Sequence, residues 1–204
     1  VHDYAALAGL FGRRQMVYRV GHPGSDRRAA LPAALSYLYG RWLMALSPVD
    51  AALRVRKALH RSAARERRLR QLVAAVAAVR RCQQDFTIDL AGHSFGTDTA
   101  LLFALKYGRE IAIDTLYLFS PHPPGYLIEQ REYKRLPVRK VLVITGSRDR
   151  TRDGVGPGDR LQVMSCLGQN ARAVVLEEVV HMDFAFADLG PDGWLETLAR
   201  ELEL

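Results

Sequence analysis

Apolar and polar positions alternate along this chain in two rhythms, short β-branched runs and longer stretches with helical spacing. Phe86 to Ala91 is short and apolar enough for a buried strand. Thr97 to Tyr107 reads as a helix, with Ala100, Leu101, Leu102, Ala104 and Leu105 supplying a packing face. Val138 to Gly146 is a strong β-branched strand, and Ala171 to Glu178 is a second. Between residues 54 and 81 the pattern is helical again, with Leu53, Leu59, Leu69, Leu72, Val73, Val76 and Val79 facing inward. Strands separated by helices predict an α/β fold built on a mostly parallel, doubly wound sheet. Residues 35–83 form a long helical crossover.

Composition agrees with one globular domain spanning 1–204. At 204 residues and 49% hydrophobic, the chain can bury a substantial core. There is no internal repeat and no low-complexity tract. No apolar run reaches the ~18 residues of a membrane span, and Leu72 to Val79 is short and flanked by arginines. Cys82 and Cys166 are the only cysteines; two thiols in a domain this size are expected to stay free, and they do not decide the compartment.

The net charge of +7 has a local origin. Residues 54–81 hold ten Arg or Lys and one acid, Glu66, so the remainder is slightly acidic. A basic helix of this kind suits a membrane surface or an acidic carrier domain. A solvated face on a crossover helix is the plainer reading and the one favoured here. No nucleic-acid motif accompanies it.

The chemistry concentrates in Gly92-His93-Ser94-Phe95-Gly96, a G-x-S-x-G run between a predicted strand and a predicted helix. That context is what a nucleophile elbow needs: Gly92 and Gly96 let strand and helix approach, and a strained turn projects the Ser94 hydroxyl. The plain alternative is a serine that merely caps the helix. A nucleophilic serine needs a base, and the base an orienting carboxylate. Asp149 follows the strand ending at Gly146, and His181 follows the strand ending near Glu178. A parallel sheet brings these strand ends to one edge. Asp153 and Asp183 are rival acids, the first in a glycine-rich loop and the second two positions after His181. Asp149 also has an ordinary reading as a turn residue. His93 is expected to pack against or orient the turn. His60, His22, His122 and His2 show no metal-ligand spacing, and there is no Cys/His cluster, so neither metal nor cofactor is implied.

On these residues the chain resembles the serine α/β-hydrolase family, in particular the small capless esterases related to platelet-activating-factor acetylhydrolase and dienelactone hydrolase. Gly92 to Gly96 matches the elbow, Ile144 to Asp149 the acid loop and His181 to Phe184 the histidine loop. Tyr4 to Arg14, Gln15 to Val20 and His22 to Asp26 resemble a helix, strand and loop ahead of them. The resemblance implies a Ser94–His181–Asp149 triad, an oxyanion contact from the Phe95 amide, and a carboxylic ester as a small-molecule substrate. His22, His93, Pro121, Tyr126 and Phe184 are expected to line the substrate site. The chain departs from the family in three ways. Thr97 and Asp98 stand where many relatives have a second glycine. The oxyanion loop is represented only by Val1-His2-Asp3, so the first strands are expected to be missing and the chain to be part of a longer one. The segment from Pro32 to Gln83 is long for a crossover. A thioesterase acting on carrier-bound or CoA-bound acyl groups is the alternative, and a non-catalytic hydrolase-like binding module a third reading.

Overall fold

Among the described residues four strands pair side by side in chain order, all parallel. They are β1 (Ile88–His93), β2 (Ile113–Phe119), β3 (Lys140–Gly146) and β4 (Ala171–Leu176). The computed structural model describes residues 50–82, 87–124, 132–151, 154–185 and 190–202, with side chains in the first helix given from Arg65 to Arg81. Around the strands lie α1 (Asp50–Cys82), α2 (Phe95–Tyr107), α3 (Pro157–Leu161) and α4 (Trp194–Leu202).

Strand side chains alternate between two cores, as period-two geometry requires. Leu116 and Leu118 of β2, with Val141 and Val143 of β3, join α2 and the Leu69–Val76 stretch of α1 on one face. Tyr117, Phe119, Leu142 and Ile144 point the other way, onto Trp194, Leu198 and Leu202 of α4. Both faces are covered, which explains why β2 and β3 read as continuous apolar runs and not as alternating ones. The parallel sheet flanked by helices that the sequence leads one to expect is therefore present among the described residues.

Within the segment expected to be a long helical crossover, α1 is one helix of 33 residues, about 50 Å long at 1.5 Å per residue. Its sequence holds neither glycine nor proline and is rich in alanine and arginine, both strong helix formers. Leu69, Leu72, Val73 and Val76 fall at the i, i+3, i+4, i+7 spacing and pack on the α2 side, while Arg67, Arg70 and Arg81 face solvent. The Arg80 guanidinium donates to the Glu110 carbonyl at 3.0 Å, anchoring the end of the helix. Leu53, Leu59 and His60 have side chains outside the described set. Among the described residues no helix is long and apolar enough to cross a membrane. Cys166 is a buried free thiol.

Several boundaries differ from the sequence reading. The elbow strand runs two residues further, to His93, and its helix begins at Phe95, so Ser94 alone makes the turn. Strand β3 starts at Lys140, where its pairing with Thr115 begins. Strand β4 stops at Leu176, because Glu178 takes φ 63° and turns the chain back.

The two elbow glycines are not equivalent, which corrects the expectation that both permit close approach. A Cβ on Gly92 would lie 2.6 Å from the Gly96 carbonyl oxygen, whereas one on Gly96 would meet nothing within 4 Å. The crowding is one-sided: the helix backbone at Gly96 presses on the strand at Gly92. Gly92→Ala is expected to lose about 1–3 kcal/mol in urea unfolding, the usual penalty for overpacking. Gly96→Ala, at a helical position, is expected to be neutral or to gain up to ~1 kcal/mol. Equal losses for the two variants would contradict this account.

Candidate active site

The carboxyl ends of β1, β2 and β3 continue to hydrogen-bond past their last residues, and this locks the following loops to one edge. Ser94 N donates to Phe119 O at 3.0 Å, Ser120 N to Ile144 O at 2.7 Å and Ser147 N to Leu176 O at 2.8 Å. Each loop therefore leaves the sheet at a set height, and the side chains that follow converge.

Ser94 occupies the turn between β1 and α2 at φ 53°, ψ −120°, a conformation that costs a residue with a Cβ about 1–3 kcal/mol. Its carbonyl accepts from Thr97 N at 3.0 Å and from Thr97 Oγ1 at 2.6 Å, which holds the turn from the helix side. The Ser94 side chain makes no capping bond to the helix. The helix-cap alternative thus fails on geometry, and Thr97, flagged as a departure, serves as a brace for the turn.

Asp149 is 0% exposed, and two hydroxyls, an imidazole and a guanidinium surround its carboxylate. Thr145 Oγ1 donates to Oδ2 at 3.1 Å, and Ser120 Oγ donates to the same oxygen through a short contact. His181 Nδ1 and Arg160 Nε each lie 3.0 Å from Oδ1. Burial raises the pKa of this group. The hydrogen bonds from His181 and Ser120, with the Arg160 charge, outweigh burial and hold the carboxyl below its ordinary value.

His181 sits in a turn whose position depends on a glycine and an acid. A Cβ on Gly146 would overlap the Val179 carbonyl, so the strand β3 end and the histidine loop pass at backbone contact. Asp183 accepts from Val180 N at 2.8 Å and is itself 3% exposed. That bond uses Asp183 to close the turn, so of the rival acids this one faces backbone and Asp149 faces the imidazole. Asp153 lies outside the described residues. His93, immediately before Ser94, reaches the same loop: its Nε2 is 3.0 Å from the His181 carbonyl and the two rings are 4.8 Å apart. Among the described residues no hydrogen bond joins Ser94 to His181; the contact between their loops runs through His93.

Phe95 begins α2 with its side chain 46% exposed. Its ring meets His122 edge-on at 4.4 Å, and the Arg68 guanidinium lies 5.9 Å from its centroid. His122 Nδ1 in turn lies 3.4 Å from Asp98 Oδ2. The unexpected carboxylate at the start of the helix therefore has a partner on the loop after β2.

Of the residues expected to line a substrate site, His22 and Tyr126 lie outside the described residues, as do His2 and Asp3. Phe184 requires correction. It is 0% exposed and packs among Phe119, Trp194 and His93, at ring distances of 5.4, 5.7 and 5.9 Å. The chain after His181 turns inward, where the larger apolar burial lies, so among the described residues Phe184 backs the histidine loop from within the core. Pro121 is also buried, and its carbonyl accepts from Arg160 Nη1 at 3.0 Å. Local sequence assigned three residues of the site no role at the Asp149 carboxylate. Ser120 and Thr145 occupy strand ends, a signal that was available. Arg160 is one of 29 basic residues in the chain and carried no signal of its own.

No protein-family model matches the chain, and no curated protein sequence matches it. Solved structures do. A meta-cleavage product hydrolase from Pseudomonas fluorescens aligns over 68% of this chain and 71% of its own, at 12% identity and a TM-score of 0.50. The 2-hydroxy-6-oxo-6-phenylhexa-2,4-dienoate hydrolase of Rhodococcus sp. aligns over 71% and 72%, at 14% identity and a TM-score of 0.51. A bacterial membrane phospholipase A aligns over 68% and 63%, at 14% identity and 0.50. At such identities the likeness concerns the fold, and the fold is that of the α/β-hydrolases.

Proposed function

We propose that this chain of α/β-hydrolase fold is a serine hydrolase that cleaves carboxylic esters through an acyl-enzyme. The observation that carries the reading is the pairing of a strained, uncapped Ser94 with a part-buried Asp149–His181 bond of 3.0 Å at the same sheet edge. Backbone strain at a turn serine is retained where the surrounding structure imposes it, and such sites cluster at function.

In this mechanism His181 Nε2 takes the Ser94 hydroxyl proton as Oγ attacks the ester carbonyl. Asp149 holds the proton on Nδ1 and stabilises the imidazolium that forms. The Phe95 amide binds the developing oxyanion. His181 then returns its proton to the departing alcohol. A water molecule, deprotonated by His181, attacks the acyl-enzyme; the acid departs as the Oγ–acyl bond breaks, and His181 returns the proton to Ser94 Oγ. The open Ser94–His181 approach suits a site that tightens when substrate arrives, as catalytic hydrogen bonds commonly do. Within the fold, the matches at the elbow, acid loop and histidine loop favour the capless-esterase type.

A fluorophosphonate probe tests the reading directly. Covalent labelling located at Ser94 by peptide mapping, with turnover of p-nitrophenyl acetate, is the expected result. A folded protein that neither labels nor turns over would make the binding-module reading the leading one. The same assay with acyl-thioesters separates ester from thioester hydrolysis. Steep loss of thioester turnover with salt would tie an acidic carrier to the arginines of α1.

A further inference from the structure

The Arg160 guanidinium is 1% exposed and sits against the Asp149–His181 pair. Nη1 donates to the carbonyls of Ser120 at 2.9 Å and Pro121 at 3.0 Å, Nε is 3.0 Å from Asp149 Oδ1, and Nη2 is 3.2 Å from His181 Nδ1. One side chain thus ties the loops after β2 and β3 to the histidine turn. Burying a guanidinium is costly, and an apolar residue would fill the same space more cheaply. The electrostatic consequence of having the cation there falls on His181.

Nδ1 of that imidazole has an acceptor on one side, Asp149 Oδ1, and a donor on the other, Arg160 Nη2. A neutral ring can satisfy only one of them. With its proton on Nδ1 it donates to Asp149, and Nε2 is free to act as a base. With its proton on Nε2, Nδ1 accepts from Arg160, and the ring cannot deprotonate a serine. The negative charge of Asp149 favours the first tautomer and the positive charge of Arg160 the second. Among the described residues the other charged groups nearby are engaged elsewhere. His93 contacts the His181 carbonyl, Asp183 closes onto Val180 N, and Arg148 pairs with Glu178 at 2.6 Å on the surface.

We propose that Arg160 is a positioning residue that sets the tautomer of His181, keeping part of the resting imidazole population with a bare Nδ1. The inference rests on His181 being the base, yet the tautomer is readable without turnover. Full-length protein with ¹⁵N-labelled histidine is observed by NMR at alkaline pH, where free imidazoles are neutral. The His181 signals are assigned by their loss in His181→Gln. Intermediate Nδ1 and Nε2 shifts are expected for the unchanged protein. In Arg160→Met the Nδ1 signal is expected to move fully to the protonated position, while Arg160→Lys, which keeps the cation, stays intermediate. A merely structural clip would broaden signals or lower the melting temperature without moving the tautomer. A fully protonated Nδ1 in the unchanged protein would overturn the proposal, whether or not Arg160→Met folds. So would a folded Arg160→Met with unaltered shifts. Fluorophosphonate labelling of the same samples keeps the two readings apart. Labelling without the tautomer response sinks the role of Arg160, and the tautomer response without labelling sinks the hydrolase assignment.

Discussion

Ser94→Ala is expected to lower kcat for p-nitrophenyl acetate by about 10⁶-fold while leaving a residual rate ~10³ above water from binding and the oxyanion contact. The fold should be untouched, because the Ser94 hydroxyl makes no bond to the helix it precedes. Stability measurements add a second arm. Alanine keeps the Cβ, so the strain at φ 53°, ψ −120° persists and the melting temperature should not change. Glycine removes the strain of about 1–3 kcal/mol and returns roughly 0.5–1 kcal/mol as unfolded-chain entropy. Ser94→Gly is therefore expected to be inactive and more stable by ~1 kcal/mol. An active alanine variant would end the nucleophile assignment; a destabilised glycine variant would show that the turn is not strained.

Asp149→Asn is expected to cut kcat by about 10⁴-fold, the size of effect that follows when an imidazole loses the anion that sets its proton. Asparagine can turn its amide group toward Ser120 and Thr145, whose hydroxyls are able to accept, and its oxygen toward His181. Geometry survives and the charge does not. The buried Arg160 is then left without its counter-ion, and a stability loss of about 3 kcal/mol should accompany the loss of rate. Asp183→Asn is the contrast. It keeps an acceptor for Val180 N, so it should change kcat by less than ~10-fold. Equal damage from the two substitutions would mean that the wrong carboxylate had been assigned.

Acid stability offers an independent check on Asp149. Its folded pKa is depressed, so its contribution to stability is present above the unfolded carboxylate value of about 3.9. That contribution is lost as pH falls from there through the lower folded value. Denaturation followed by circular dichroism should show extra loss in that range for the unchanged protein and not for Asp149→Asn. Parallel curves for the two would argue against a buried, ionised Asp149.

What local sequence could specify was the succession of elements and the loops that follow them. Apolar period and β-branching marked β1, α2, β3 and β4 to within a few residues, because these properties act through neighbours along the chain. The elbow was legible for the same reason: Gly92, Ser94 and the strand–helix change are contiguous. Parallel pairing of strands in chain order then brought Asp149 and His181 to the same edge, where they bond to each other. The unequal roles of Gly92 and Gly96 were hidden, since the clash depends on how closely two elements pack. Phe184 reads as a loop aromatic until the core behind His181 is seen to accept it. Chain order and its place after a strand favoured Asp149 over Asp183 in the sequence, but neither says where a carboxylate points. Only the fold turned one toward the imidazole and the other onto backbone. Arg160 is the extreme case. Nothing beside it in the chain distinguishes it from the other arginines, and its burial against Asp149 is set by loops from three strand ends meeting across the sheet. Short-range propensities act on neighbours in sequence, whereas the surroundings of a charged group are made by segments far apart in the chain, and these only the tertiary structure brings together.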